Sequence, residues 1–203
     1  MEMKNNNKGF SLVELIVTVL IIGVMAGSSI LLYNIVQRRN YIKCSDNTAD
    51  ALEIARQSAM VREEGSDVGV IFYFYERNYH AQVVFFNSDN TITLKGEYNL
   101  GGGSLSFSKC INGSTTKTTM TKKSIVPASL SNLTYVKSEM AANDIFVVLF
   151  NKTNGSIKSS GRTGGIGNVG AFDYLQISRG GETLGDYSNV LFSKAGRPYV
   201  EYH

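Results

Sequence analysis

Residues 8–29, "KGFSLVELIVTVLIIGVMAGSS", decide how this chain is built. From Leu15 to Gly27 they are almost unbroken apolar, and Ser28 and Ser29 lead into a second apolar patch from Ile30 to Val36. Counted from Phe10 to Val36, the run is long enough for a helix to cross a hydrocarbon layer about 30 Å thick. Lys4 and Lys8 precede it, which by the positive-inside bias keeps residues 1–9 in the cytoplasm and sends the remainder outward. Glu14 does not fit. An acidic group costs about 2.5 to 3.5 kcal/mol at the centre of a spanning helix.

Three readings compete. A secretory signal has the same basic start and apolar middle, and "VMAGSS" offers small residues for a cut after Ala26. A permanent single-span anchor is the second. Both leave Glu14 without a purpose. In the third, cleavage falls between Gly9 and Phe10 and leaves the apolar helix on the mature chain. The freed amine of Phe10, with an ordinary pKa of about 7.7 to 8.0, is then largely cationic at neutral pH. Glu14 lies one helical turn from that positive end, and where copies pack side by side it can pair with a neighbour's amine. The carboxylate becomes a registry device.

"KGFSLVEL" resembles the processing site of type IV prepilins and pseudopilins, which share a Gly, a following Phe and a Glu four residues beyond it. The resemblance implies a leader over residues 1–9 and a membrane-embedded prepilin peptidase that cuts at Gly9 and methylates the Phe10 amine. Gly23 and Gly27 form a G-x-x-x-G that permits close helix approach in a membrane, although small residues also recur there without that role. Many pilins carry a proline in this segment, whereas no proline precedes Pro127. If the helix loosens on assembly, the weak helix formers Gly23, Gly27, Ser28 and Ser29 are the place.

Polarity switches at "QRRN", yet helical spacing continues, with Ile42, Ala49, Leu52, Ala55 and Ala59 near one stripe. Gly65, after "REE", is a stop signal. The pattern predicts one long helix over residues 10–64, its portion 10–36 serving as transmembrane and assembly segment, followed by a β-rich head over 65–203. Beyond Gly65 the spacing turns to period two or to short runs of β-branched and aromatic residues. "VGVIFYFYE" and "YHAQVVFF" read as a hairpin joined at Arg77 and Asn78. "TITLK", "LTYVK", "IFVVLF", "FDYLQIS", "NVLFS" and "PYVEY" read as further strands, and residues 108–124 as an exposed polar loop. The fold class is α+β: a long N-terminal helix, transmembrane in its first half, packed on an antiparallel β-sheet head in a pilin-like fold.

Three segments extend the resemblance to GspH/FimT-type minor pilins and pseudopilins. These are "ALEIARQSAMVREEGSDVGVIF", "VLFNKTNGSIKSSG" with its Asn-Gly turn, and "LQISRGGETLGDYSNVLFSKAGRPYVE" with its Gly-Arg turn. The long polar insert and the missing anchor proline are departures from the pattern. The resemblance implies a minor structural subunit of a type IV pilus or type II secretion pseudopilus, anchored in the cytoplasmic membrane with its head outside. Its partners would be prepilin peptidase, other pilins, and an inner-membrane assembly platform driven by a cytoplasmic ATPase.

The remaining composition excludes more than it assigns. Of 203 residues 43% are apolar, enough for one core, and a net charge of +3 demands neither nucleic acid nor lipid. Cys44 and Cys110 are too few for a disulfide scaffold, and whether they form one bridge is left open. Asn-x-Ser/Thr sequons begin at Asn112, Asn132, Asn151 and Asn154, in a chain so rich in these residues that chance explains them. His80 and His203 are the only histidines, and neither sits in a metal or catalytic pattern. Gly165, Gly167 and Gly170 have G-x-G-x-x-G order, but strand-like residues follow where a dinucleotide loop opens a helix. No enzyme is indicated, and no cofactor or metal. Lys194 and Arg197 bracket the Gly-Arg turn and could make a few salt-sensitive DNA phosphate contacts, though solvated loop charge is the preferred reading. The rival function is a membrane-anchored extracytoplasmic binding module, for DNA in uptake or for a surface ligand.

Overall fold

A computed structural model describes residues 10–61, 66–89, 91–111, 117–131, 141, 143–158, 173–179, 187–193 and 196–203. The long helix α1 runs Leu12–Val61. The chain divides into two compact units, Met1–Arg39 and Asn40–His203, so the second half of α1 groups with the strands. In the first unit nothing in Leu12–Ser29 is buried, and this stretch is long and apolar enough to cross a membrane. In the second unit Tyr41, Cys44, Thr48, Ala51, Leu52, Ala55 and Ala59 are buried. They recur every three or four residues, the stripe that faces a core.

Among the described residues ten strands follow: β1 (Asp67–Tyr75), β2 (Asn78–Phe86), β3 (Ile92–Gly101), β4 (Leu105–Cys110), β5 (Lys117–Thr119), β6 (Phe146–Phe150), β7 (Ile157–Lys158), β8 (Tyr174–Arg179), β9 (Tyr187–Phe192) and β10 (Pro198–Tyr202). They form two five-stranded sheets, in the orders β3-β2-β1-β6-β7 and β10-β9-β8-β4-β5. Every pairing between them is antiparallel.

The helix stripe and one face of each sheet share a core. Val68, Val70 and Phe72 enter it from β1, Tyr79, Ala81 and Val83 from β2. Leu105 and Phe107 come from β4, Leu175 and Ile177 from β8. The other face of the first sheet buries Ile71, Tyr73, Val84 and Val147 under Ile125 and Leu130, the latter on a short 3-10 turn, Pro127–Ser131. Covering both faces explains why "VGVIFYFY" reads as a continuous apolar run rather than an alternation. Hydroxyls tie α1 to the strands: Ser45 Oγ lies 2.5 Å from Ser188 Oγ, Tyr202 Oη donates to Asp46 at 2.5 Å, and Lys95 Nζ donates to Ser58 Oγ at 2.7 Å. Such bonds contribute about 0.5 to 1.5 kcal/mol each.

The β1–β2 hairpin turns on Glu76 and Arg77, one residue before the expected pair, because Asn78 already pairs with Tyr75. Both turn residues are left-handed, with φ of 46° and 61°. A two-residue turn of this hand normally takes Asn-Gly, and non-glycine residues there cost about 1 to 3 kcal/mol each. Part of the expected loop at 108–124 is strand: Ser108 pairs with Thr119 and Cys110 with Lys117. The strand reading of "LTYVK" falls outside the described residues.

Candidate processing and assembly site

Gly9 lies outside the described residues, and Phe10 and Ser11 precede the first helical turn. Phe10 is 83% exposed. Ser11 caps the helix. Its Oγ accepts the Glu14 N–H at 3.2 Å, and the Glu14 carboxylate, through Oε2, accepts the Ser11 N–H at 3.2 Å. This reciprocal pair is a capping box, which satisfies two amides that a helix start would otherwise leave without partners. The carboxylate also lies against the positive end of the helix dipole. Glu14 therefore has a local partner as well as the intersubunit one expected of it. Ser11 was missed as a site residue, although the S-x-x-E spacing in "SLVE" carries the signal.

Past this turn, as far as Met25, α1 offers neighbours a largely apolar surface. Leu12, Val13, Leu15, Ile16, Val19, Leu20, Ile22 and Met25 are all exposed. Its few hydroxyls are turned back on the backbone: Thr18 donates to the Leu15 carbonyl at 2.9 Å and Ser29 to that of Met25 at 2.8 Å. A Cβ added at Gly23 or Gly27 would meet nothing within 4 Å among the described residues, so no close approach there requires glycine. The helix runs through Gly23, Gly27, Ser28 and Ser29 without interruption.

The other expected site residues do not converge. The bridge left open between Cys44 and Cys110 is not made; both are buried free thiols. Cys44 sits in the core stripe of α1, where burial pushes its thiol up to about 12 despite a hydrogen bond with Thr48. Cys110 ends β4 opposite Tyr174, and burial raises it too. Arg197 is exposed on the β9–β10 turn, where its backbone and that of Ser193 close the loop. Lys194 and the Gly165–Gly170 loop lie outside the described residues. His80 packs in β2 with its ring stacked on Tyr73 at 5.4 Å and Nδ1 3.6 Å from Glu97. Burial lowers its pKa and Glu97 opposes that shift. Among the described residues, no three His, Cys, Asp or Glu side chains gather as a metal site.

Residues 4–30 match the family described as the prokaryotic N-terminal methylation motif. That motif marks type IV pilin-like prepilins, the substrates of prepilin peptidase. No curated protein and no solved structure matches the chain.

Proposed function

We propose that this protein is a structural, minor subunit of GspH/FimT type, matured between Gly9 and Phe10 and built into a type IV pilus or a type II secretion pseudopilus. The observation that carries this reading is a methylation motif set directly on a helix whose apolar stretch Leu12–Ser29 is not buried by any of the described residues. Lipid and then sibling helices are the partners such a surface requires. In the membrane, residues 10–36 anchor the chain and the head, 65–203, lies outside the cytoplasm. In the filament the Glu14 carboxylate pairs with the methylated Phe10 amine of the next subunit, and this pairing fixes the axial register.

The capping box dictates how this is tested. Glu14→Ala removes both the local cap and the charge, so its failure to assemble would not separate them. Glutamine is accepted at the same position of a capping box. Glu14→Gln thus keeps the cap and removes only the charge. We expect Glu14→Gln to be cleaved normally, with N-methyl-Phe10 found by mass spectrometry of the mature chain, and to be lost from sheared filaments. Normal incorporation of Glu14→Gln would sink the registry role and leave Glu14 a capping residue. A mature terminus at Gly27 would sink the prepilin reading itself.

A further inference from the structure

Three segments distant in sequence meet around a polar cavity of about 500 Å³ on the Asn40–His203 unit. Asn40 and Lys43 reach it from α1, Arg77 and Asn78 from the β1–β2 turn, and Asn99 to Ser104 from the end of β3 and the turn after it. The cavity is built by close approach. A Cβ on Gly103 would lie 1.6 Å from the Arg77 carbonyl oxygen, and one on Gly102 2.8 Å from Cys44 Sγ. These contacts lock the two turns and the helix together. Arg77 itself has a φ of 61°, where a hairpin of this type ordinarily places glycine. A side chain kept in a strained backbone position suggests a use for that side chain.

The lining fixes the chemistry. Among the ten described residues that line it, none is acidic. Lys43 and Arg77 are cations that only donate. The Asn99 Oδ1 accepts the Gly101 N–H at 2.8 Å, which orients the amide and leaves its NH2 to offer a ligand. Two positive charges and a set of amide donors suit an anion. The volume lies within the range of about 300 to 1,000 Å³ typical of small-molecule sites and leaves room for a polar group attached to the anion.

We propose that this cavity binds a glycerophosphate group, its phosphate between Lys43 and Arg77 and its hydroxyls on the asparagine amides. The source is an anionic phospholipid headgroup. Asn40 and Lys43 follow Val36, the last residue of the apolar run, by only four and seven positions. Even fully extended, that is at most about 25 Å of chain. The choice of lipid as the source rests on the membrane-anchored reading above, whereas the anion chemistry of the cavity does not.

The test uses the full chain with 15N-labelled glycine and arginine in neutral detergent micelles. Glycerol 1-phosphate should shift the amides of Gly101, Gly102 and Gly103 and the Arg77 Nε–H, inorganic phosphate should do so more weakly, and glycerol should not. Lys43→Ala and Arg77→Gly should each weaken binding by at least about tenfold, the loss of one charge-assisted bond. Arg77→Gly should at the same time leave the thermal midpoint no lower, since glycine suits that turn. Binding of glycerol 1-phosphate by Arg77→Gly as strong as by the parent, or no shift in the three glycines, would overturn the site. In nanodiscs, phosphatidylglycerol but not phosphatidylcholine should shift the same resonances in the parent and not in Arg77→Gly. Soluble glycerophosphate binding without that lipid response would overturn the lipid source and leave a site for free phosphate esters. Failure of the membrane reading is seen independently, in the mature terminus.

Discussion

The two halves of α1 obey one set of helix rules and meet opposite fates. Residues 12–29 are apolar on all sides and none is buried; residues 41–59 are apolar on one stripe, and that stripe is sealed in a core. The difference shows where each half finds its partners. A stripe can be satisfied by the chain's own sheets, whereas a helix apolar all round needs lipid or other helices on every side.

The sharpest way to break this comparison is to make the same cut in both halves. Leu52→Ala, in the sealed stripe, should cost the head about 2 to 5 kcal/mol in a denaturant titration. Leu20→Ala, in the exposed half, should leave that titration within about 0.5 kcal/mol of the parent and instead reduce the yield of assembled filament. A comparable loss of head stability from both would mean that the first half packs on its own chain after all.

A second pair contrasts two charges set in apolar surroundings. Lys109 is buried in β4 with Nζ 4.9 Å from the centre of the Phe146 ring, and burial pushes its pKa down to about 8 from an ordinary 10.5. Burial makes its charge a cost that its contacts offset only in part. Lys109→Met should stabilise the head by about 1 kcal/mol, the relief of burial less the lost ring contact and the lysine's remaining interactions. The sign with pH follows from proton counting. Between pH 8 and 10.5 the unfolded chain holds a proton that the folded chain has shed, so parent stability should rise relative to Lys109→Met across that window. Thermal melts of both proteins from pH 7 to 10.5 check this, and parallel curves would refute it. Glu14→Gln, by contrast, should leave those melts unchanged.

The smallest effect is expected at Ser11. Ser11→Ala removes the hydroxyl of the cap and should fray the first turn at a cost of about 1 kcal/mol, read as faster amide exchange at residues 12–15. Because the carboxylate of Glu14 remains, assembly should persist. Loss of assembly in Ser11→Ala would place part of Glu14's role in its orientation by Ser11.

The same contrast explains what could be read from the sequence. Periodicity and short apolar runs revealed the second half of α1, the β1–β2 hairpin and the strands β6, β8 and β9, whose apolar residues are largely buried, while β10 was legible from its aromatic and β-branched residues although Tyr199 and Tyr202 are exposed. β4 and β5 were hidden. The inward row of β4 is Leu105, Phe107 and Lys109, and a lysine in the third core position erases the alternation. β3 runs beyond "TITLK" to Gly101, and that extension was hidden because its exposed row, with Lys95 and Glu97, resembles a loop. The motif that contains Phe10 and Glu14 was legible because it is contiguous. The cavity at Lys43 and Arg77 was not, since no local pattern brings residues 40, 77 and 102 together before the fold does.

The capping box at Ser11 and Glu14 has a further consequence. Both partners, and the first backbone bond from the Leu15 N–H to the Ser11 carbonyl, lie on the carboxyl side of the Gly9–Phe10 bond. On the maturation proposed above, cleavage there would leave all three of these bonds in place. The peptidase would then trim a finished end rather than make one, and the new terminus would enter the filament with its first turn already wound.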